Sequence, residues 1–136
     1  MVSKDEIVKI PKTMQKYLGG SGSMVKPSAR TVQSVVQDIP KGSIATLDSI
    51  REYLANRHDV HTACPAATLK ALIEASNSNP NCGYWRVVKR KGELIAKLNG
   101  GAKKQGSQLA KEGLTIDTTK KVPTVYDLDK HLYDFS

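Results

Sequence analysis

The chain has 136 residues and a formal net charge of +8. One domain is the natural expectation at this length, and no run of about 18 apolar residues predicts a membrane span. The first residues, Met-Val-Ser-Lys-Asp-Glu, lack the apolar stretch of a secretory signal, so we expect a cytoplasmic protein.

Two cysteines and three histidines show no spacing typical of a metal site. We therefore predict neither a metal nor another cofactor. Cys64 and Cys82 are interpreted as reduced thiols, with a disulfide as the alternative.

Positive charge is concentrated before the last twenty residues. Residues 1–116 carry 18 basic and 9 acidic side chains, whereas the last twenty carry three lysines and four aspartates. A basic body predicts a polyanionic partner, most commonly nucleic acid. Surface lysines that serve solubility are the alternative explanation.

Residues 1–27 form a predicted N-terminal arm with no clear hydrophobic period. A glycine–serine stretch, Gly19–Ser23, interrupts it. We expect the arm to lie on the domain and assign it no secondary structure.

Three helices are predicted next. Ser28 suits the N-cap of the first, which Pro40 and Gly42 end. Thr46 suits the N-cap of the second, and Pro65 suits the first position of the third. The apolar stripe of the first helix recurs at helical spacing and comprises Ala29, Val32, Val35, Val36 and Ile39.

The third helix carries small residues that let its backbone approach a neighbour closely. That neighbour is either another helix or a groove of DNA. The residues expected to face the groove are Ala66, Ala67, Thr68 and Ala71, with Lys70 beside them.

A β-hairpin is predicted from strands at Tyr84–Lys89 and Glu93–Leu98, with Gly92 in the turn. A last helix is expected over 102–112, with Leu109 and Ala110 inward and Gly113 as its left-handed stop. Residues 117–136 form a C-terminal tail that we expect to pack back on the domain as a short strand or helical turn.

The resulting fold class is mostly α with a small β-hairpin, a winged helix-turn-helix domain over residues 28–116. Such folds commonly bind duplex DNA with one helix in a groove and the hairpin on the backbone. Phosphate contacts are predicted from the hairpin tip and the last helix, at Lys89, Arg90, Lys91, Lys103 and Lys104.

The order of several short motifs resembles the DNA-binding domain of the methylated-DNA–protein-cysteine methyltransferases, which repair O6-alkylguanine. That family has a helix ending in Ile-Pro-x-Gly, then two helices and a Pro-Cys-His-Arg-Val motif. A hairpin, a Gly-Gly loop and a helix ending in Glu-Gly follow. The matching segments, over about residues 28–115, are Val32–Gly42, Thr46–Arg57, Pro65–Ser76, Gly83–Val87, Asn99–Gly101 and Glu112-Gly113.

The reactive residues of that family are replaced. Tyr84 aligns with the acceptor cysteine and Trp85 with the histidine, while Arg86 and Glu112 are retained. Alkyl transfer needs a thiolate activated by a base, which a phenol and an indole do not supply. The resemblance therefore implies a protein that is not an enzyme. It points to the alkyltransferase-like branch, which binds alkylated guanine and passes it to other repair proteins, such as those of nucleotide-excision repair.

Two further departures concern base flipping. The family inserts an arginine from the third helix into the base stack. The aligned position here is Thr68, counted from the helix start, or Lys70, counted from the loop. A tyrosine that helps to rotate the nucleotide aligns with Leu47. These losses put base flipping in doubt and leave groove and backbone binding intact.

A lesion pocket is predicted from the resemblance. Tyr84 is expected to line it and to stack on an extruded base, with a place in the core as the alternative. Glu112 is expected to bond to a loop or to the Trp85 indole N–H, and Arg86 to brace the hairpin strand. The predicted pocket residues are Tyr84, Trp85, Arg86, Asn99, Gly100 and Gly101.

Two alternative functions remain open. One is a general winged-helix DNA-binding or regulatory protein without lesion preference. The other is a residual alkyltransferase that uses Cys82, two residues before the expected nucleophile position. In each case we expect a monomer whose partner is duplex DNA.

Overall fold

The structure, a computed structural model, describes residues 4–135. Residues 1–3 of the predicted arm and Ser136 of the tail lie outside this range. Five helices are present in the described range: α1 (Lys12–Leu18), α2 (Ala29–Gln37), α3 (Leu47–His58), α4 (Pro65–Ser78) and α5 (Gly101–Lys111). None of them is long and apolar enough to cross a membrane.

Over residues 4–135, seven short strands form three small sheets: β1 (Glu6–Lys9), β2 (Ser23–Lys26), β3 (Ala45–Thr46), β4 (Thr62–Ala63), β5 (Val87–Val88), β6 (Ile116–Asp117) and β7 (Thr124–Val125). β2 lies between an antiparallel β1 and a parallel β4. β3 pairs with β5 in parallel, and β6 pairs with β7 antiparallel.

The predicted helix starts are confirmed. The Ser28 hydroxyl accepts a hydrogen bond from Thr31 N at 3.1 Å and caps α2. The Thr46 side chain accepts one from Ser49 N at 3.1 Å, and the Ser49 hydroxyl accepts one from Thr46 N at 3.2 Å. This reciprocal capping box fixes the start of α3. Pro65 occupies the first turn of α4, where its missing N–H is not needed.

The main core lies where α2 packs along α4 and α3 closes one side. The apolar stripe predicted for α2 is buried, from Val32 to Ile39, and it meets Ile50 and Leu54 of α3 and Leu72 of α4. Burying each of these aliphatic side chains contributes roughly 1.5–3 kcal/mol to folding. The helix-turn-helix unit is thus held by one continuous apolar interface.

The predicted two-stranded hairpin is wrong in its secondary structure. Residues Tyr84–Arg86 form a single 3₁₀ turn, and only β5 is extended. β5 pairs with β3 rather than with the segment that follows it. The tight basic turn itself is present, because Lys89 N donates to Glu93 O and Gly92 N to Lys89 O, both at 2.9 Å. We call residues 87–95 the wing.

One buried side chain explains why the wing lacks a regular ladder. Gln105 of α5 is fully buried and stands between the two wing segments. Its Nε2 donates to Val87 O at 2.7 Å, and its Oε1 accepts from Ile95 N at 2.8 Å. The amide therefore satisfies backbone groups that cross-strand bonds would otherwise satisfy.

The C-terminal tail packs on the domain. Leu94 N donates to Pro123 O at 2.9 Å, and Ile44 bridges to Leu132. Phe135 stacks on Tyr53 of α3 with ring centroids 5.0 Å apart. α5 departs from its prediction at one position, because Ala110 is exposed while Leu109 is buried.

The N-terminal arm is ordered and joined to the helix-turn-helix unit. β2 adds to β4, which lies in the connection between α3 and α4. Ile10 and Met24 of the arm form a small core with Cys64, the residue that precedes α4. Met14 and Leu18 of α1 pack on that core, and so does Ala67 of α4.

Asp5 fastens the start of the arm to the domain. Its carboxylate accepts from Ser28 N at 2.7 Å and lies 2.9 Å from His58 Nε2. Burial alone would raise the pKa of Asp5, but hydrogen bonds from Ser28, Thr31 and His58 outweigh it and hold the pKa below its usual value. The arm therefore has a polar anchor as well as an apolar one.

Replacing Asp5 by Ala should loosen the arm. The buried Ser28 N–H would lose its acceptor, which costs about 1–3 kcal/mol. Trypsin should then cleave faster after Lys9, Lys12 or Lys16, because cleavage follows local opening. The matched control is Asp38→Ala at the exposed end of α2. Equal cleavage rates in the two variants would show that Asp5 does not anchor the arm.

Candidate nucleic-acid interface

The 3₁₀ turn Tyr84–Arg86 lies at the centre of the predicted site. Gly83 begins it with φ of 85°, a left-handed conformation that favours glycine. A Cβ at Gly83 would also approach the Arg86 guanidinium to 3.0 Å. The turn therefore sends Tyr84 and Trp85 in directions that a strand would not, and the strand alternation used to orient them does not apply.

Arg86 and Glu112 form a nearly buried ion pair. Arg86 Nη2 lies 2.8 Å from Glu112 Oε2, and Nε lies 2.9 Å from Oε1. The side chains are only 16% and 6% exposed, respectively. Arg86 Nη1 also donates to Ile39 O at 2.9 Å, beyond the end of α2. Arg86 thus braces the 3₁₀ turn against α2 and α5 rather than a hairpin strand.

Glu112 accepts two further hydrogen bonds, so the two partners predicted as alternatives, a loop and the Trp85 indole, are both present. Gly42 N donates to Oε1 at 3.0 Å, and Trp85 Nε1 donates to Oε2 at 2.8 Å. Burial alone would raise the pKa of Glu112, but the bonds from Arg86, Gly42 and Trp85 outweigh it and lower that pKa. The carboxylate is therefore held in its charged form.

Tyr84 is fully buried, which corrects the expectation that its ring is open to stack on a base. Its hydroxyl donates to Asn99 O at 2.7 Å. Its ring meets the Trp85 ring edge-on, with centroids 5.4 Å apart. Burial and the nearby Cys82 raise the pKa of the phenol, so Tyr84 stays protonated. The observed position of Tyr84 is therefore the one in the core, which was the alternative prediction.

The loop Asn99–Gly101 ties Tyr84 to the end of α4. Asn99 N donates to the Ser76 hydroxyl at 3.1 Å, and Asn99 Nδ2 donates to Ser76 O at 3.2 Å. Gly100 and Gly101 both have positive φ, and a Cβ at Gly100 would overlap the Lys104 side chain. The six predicted pocket residues thus fall into two groups, Tyr84 with the loop, and Trp85 with Arg86.

The site offers no paired nucleophile and base among these residues. The Tyr84 hydroxyl and the Trp85 indole each donate to a fixed acceptor. Cys82 is buried and burial raises the pKa of its thiol, which disfavours the thiolate needed for alkyl transfer. Both cysteines are free thiols, as interpreted from the sequence.

The predicted groove-facing residues of α4 divide between two faces. Thr68 and Ala71 are buried, and the Thr68 hydroxyl donates to Cys64 O at 2.8 Å. Their assignment to the groove is corrected, because they pack toward the core. Ala66 and Lys70 are exposed and Ala67 is half-buried. Of the two positions aligned with the family arginine, only Lys70 reaches the surface.

The basic turn of the wing borders the start of α3. Lys89, Arg90 and Lys91 are exposed and line a surface depression of about 400 Å³ together with Leu47. Arg90, 79% exposed, lies 2.6 Å from the Asp48 carboxylate. The wing cations therefore adjoin α3, the first helix of the helix-turn-helix unit.

The two predicted lysines of α5 lie elsewhere. Lys104 donates to Asn99 Oδ1 at 3.3 Å, so it is part of the loop beside Tyr84. Lys103 is exposed and borders an apolar groove between α5 and the tail. The structure does not bring Lys103 together with the wing turn.

Three residues that hold the site were missed from the sequence. Gln105, Ser76 and Gly42 act through long-range contacts to backbone groups. A glutamine on an otherwise apolar helix face was the one available signal for Gln105. Ser76 and Gly42 carry no local pattern that marks them.

No group of three or more side chains able to hold a metal ion is found among residues 4–135.

The chain has the winged helix-turn-helix fold of the alkyltransferase-like proteins, as predicted. Two solved structures have this fold: S. pombe Atl1 in complex with damaged DNA containing O6-carboxymethylguanine, and S. pombe ATL in complex with DNA. Their TM-scores are 0.63 and 0.62, each at 19% identity, covering 78% of this chain and 94% of theirs. No family model and no curated protein matches the sequence.

Replacing Glu112 by Gln should destabilise the protein by about 3–5 kcal/mol, because Arg86 is left as a nearly buried charge without its counter-ion. Folding also lowers the pKa of Glu112, so its ionised carboxylate stabilises the folded state at pH values above the ordinary pKa of 4.5. This contribution is lost as the pH falls through the pKa that Glu112 has in the folded protein. Urea unfolding from pH 7 to 3 should therefore show the difference between wild type and variant shrinking. Exposed Glu52→Gln is the control, and a pH-independent difference would contradict this account.

Proposed function

We propose that this chain is a non-catalytic DNA-binding protein of alkyltransferase-like type that recognises O6-alkylguanine or otherwise damaged duplex DNA for repair. The observation that carries the proposal is the turn Tyr84–Arg86. In the alignment with the methyltransferases, Tyr84 and Trp85 stand where the reactive Cys-His pair does. The Tyr84 hydroxyl donates to Asn99 O, and the Trp85 indole N–H donates to Glu112. A site of this kind suits binding rather than transfer.

The shared fold supports DNA as the partner. The S. pombe proteins of this fold were solved with DNA, one of them with an O6-alkylated guanine. In helix-turn-helix proteins the second helix enters a groove, which assigns that role to α4. Lys70 on its exposed face and the wing cations then contact phosphates or base edges. Repair proteins, including those of nucleotide-excision repair, are the partners that this proposal implies.

A second candidate is a winged-helix DNA-binding protein without lesion preference. Two observations favour it over the first. The Tyr84 ring is fully buried, and Thr68 at one aligned arginine position is buried too. Both remove groups that would act on an extruded base, while the exposed wing cations and Lys70 remain available for backbone binding.

Binding to a short fluorescent duplex with and without one O6-methylguanine, across a salt series, separates the two candidates. Tighter binding to the modified duplex supports damage recognition. Equal, salt-sensitive binding supports the second candidate. No binding to either duplex contradicts both. Incubation with O6-benzylguanine in parallel tests the residual reaction, since any label that Cys82→Ser removes would show an active thiol.

The wing cations should dominate the salt dependence. Replacing Lys89 and Lys91 by Gln should make the slope of log affinity against log salt shallower by about 1.8, because each phosphate contact contributes about 0.9. Both side chains are exposed, so the fold should be unaffected. The control is Lys120→Gln with Lys121→Gln in the exposed tail turn, which matches the charge change. Equal slopes in wild type and the Lys89/Lys91 variant would remove the wing from the interface.

A further inference from the structure

The arm flanks the N-terminal half of α4, the helix assigned to the groove. Its small core includes Cys64 immediately before α4, and Ala67 in the first turns of α4 packs on the same core. Around Ala67, a shallow surface depression is lined by Lys4 and Lys26 of the arm and by Lys70 of α4, with Glu6 and Glu74 beside them. The arm therefore borders the exposed face of α4 at Lys70.

The outward face of α1 is basic and carries an unpacked aromatic ring. Lys12 and Lys16 are exposed, one helical turn apart, and Tyr17 is 83% exposed. Residues 4–26 hold five lysines against two acidic residues, and one of those, Asp5, is already bonded to Ser28 and His58. The free charge of the arm is therefore strongly positive.

Lys12 is not placed to stabilise its own helix. It is the first residue of α1, where the helix dipole favours an acid and disfavours a cation. No residue in the first turn of α1 is acidic. Tyr17, the sixth of the seven residues of the same helix, is 83% exposed and likewise contributes little to the core. These residues have the composition of a binding face.

We infer that the arm is a second DNA-contacting element, in which Lys12, Lys16 and Tyr17 of α1 contact the phosphate backbone next to the groove entered by α4. This rests on the proposed function and extends its footprint beyond the helix-turn-helix unit and the wing. Duplex DNA is the occupant because the face is basic and because α1 packs, through Met14 and Leu18, on the small core that also holds Ala67 of α4.

The test is a salt series with the unmodified duplex and the full chain carrying Lys12→Gln and Lys16→Gln. Two lost phosphate contacts should make the slope shallower by about 1.8, so that a fourfold rise in salt weakens wild-type binding about twelvefold more than variant binding. Thermal unfolding should be unchanged or slightly improved, because a cation leaves the start of α1. Hydroxyl-radical protection should be lost on one flank of the site only.

The matched control is Lys41→Gln with Lys111→Gln. Both lysines are exposed. Lys41 follows the C-terminal end of α2, and Lys111 is the last residue of α5. The arm is fastened at the other end of α2, roughly 13 Å away along a nine-residue helix. The control removes the same charge and should leave slope and footprint unchanged. Tyr17→Ala should weaken binding at every salt concentration without changing the slope.

The outcomes separate this inference from the proposed function. If wild type binds no duplex, the proposed function fails. If wild type binds the duplex but the Lys12/Lys16 variant keeps the wild-type slope and footprint, the inference about the arm fails. The proposed function then stands. Equal slope changes in the variant and in the control would also overturn it, since they would reflect net charge and not contact.

Discussion

The Glu112 carboxylate joins three separate parts of the chain. It accepts hydrogen bonds from Arg86, from Trp85 and from Gly42, so the 3₁₀ turn, the end of α2 and the end of α5 meet at one group. A carboxylate that is only 6% exposed is costly unless its charge is compensated. Here four donors compensate it, and the same donors fix where the turn and both helix ends lie.

That arrangement also gives Trp85 a structural role. Its ring N–H donates to Glu112 Oε2 at 2.8 Å. Arg86 is stacked on the Trp85 ring, with its guanidinium carbon 5.5 Å from the ring centroid. The indole therefore supports the ion pair as well as filling space.

The helices could be predicted because their ends are set by interactions between neighbouring residues. The site could be predicted only in part, because contacts between distant residues hold it together. Ser28, Thr46 and Pro65 mark helix starts through interactions within one turn, and all three predictions are confirmed. The wing was predicted as two paired strands because its sequence is rich in β-branched residues, but Gln105 supplies the bonds that pairing would have made. Tyr84 is buried with its hydroxyl bonded to Asn99 O, 15 residues further along the chain, and no local pattern marks that contact.

The pairing of β2 with β4 has a consequence for the order in which the chain folds. The arm is synthesised before its neighbour strand, and all of α2 and α3 lies between them. Contacts between segments that are distant in the chain form slowly, because closing the long loop between them costs conformational entropy. The β2–β4 pairing therefore forms only after α2 and α3 have been synthesised. A nascent chain halted before β4 would leave Met24 and Ile10 without their contact with Cys64, although Asp5 could already bond to Ser28 and His58.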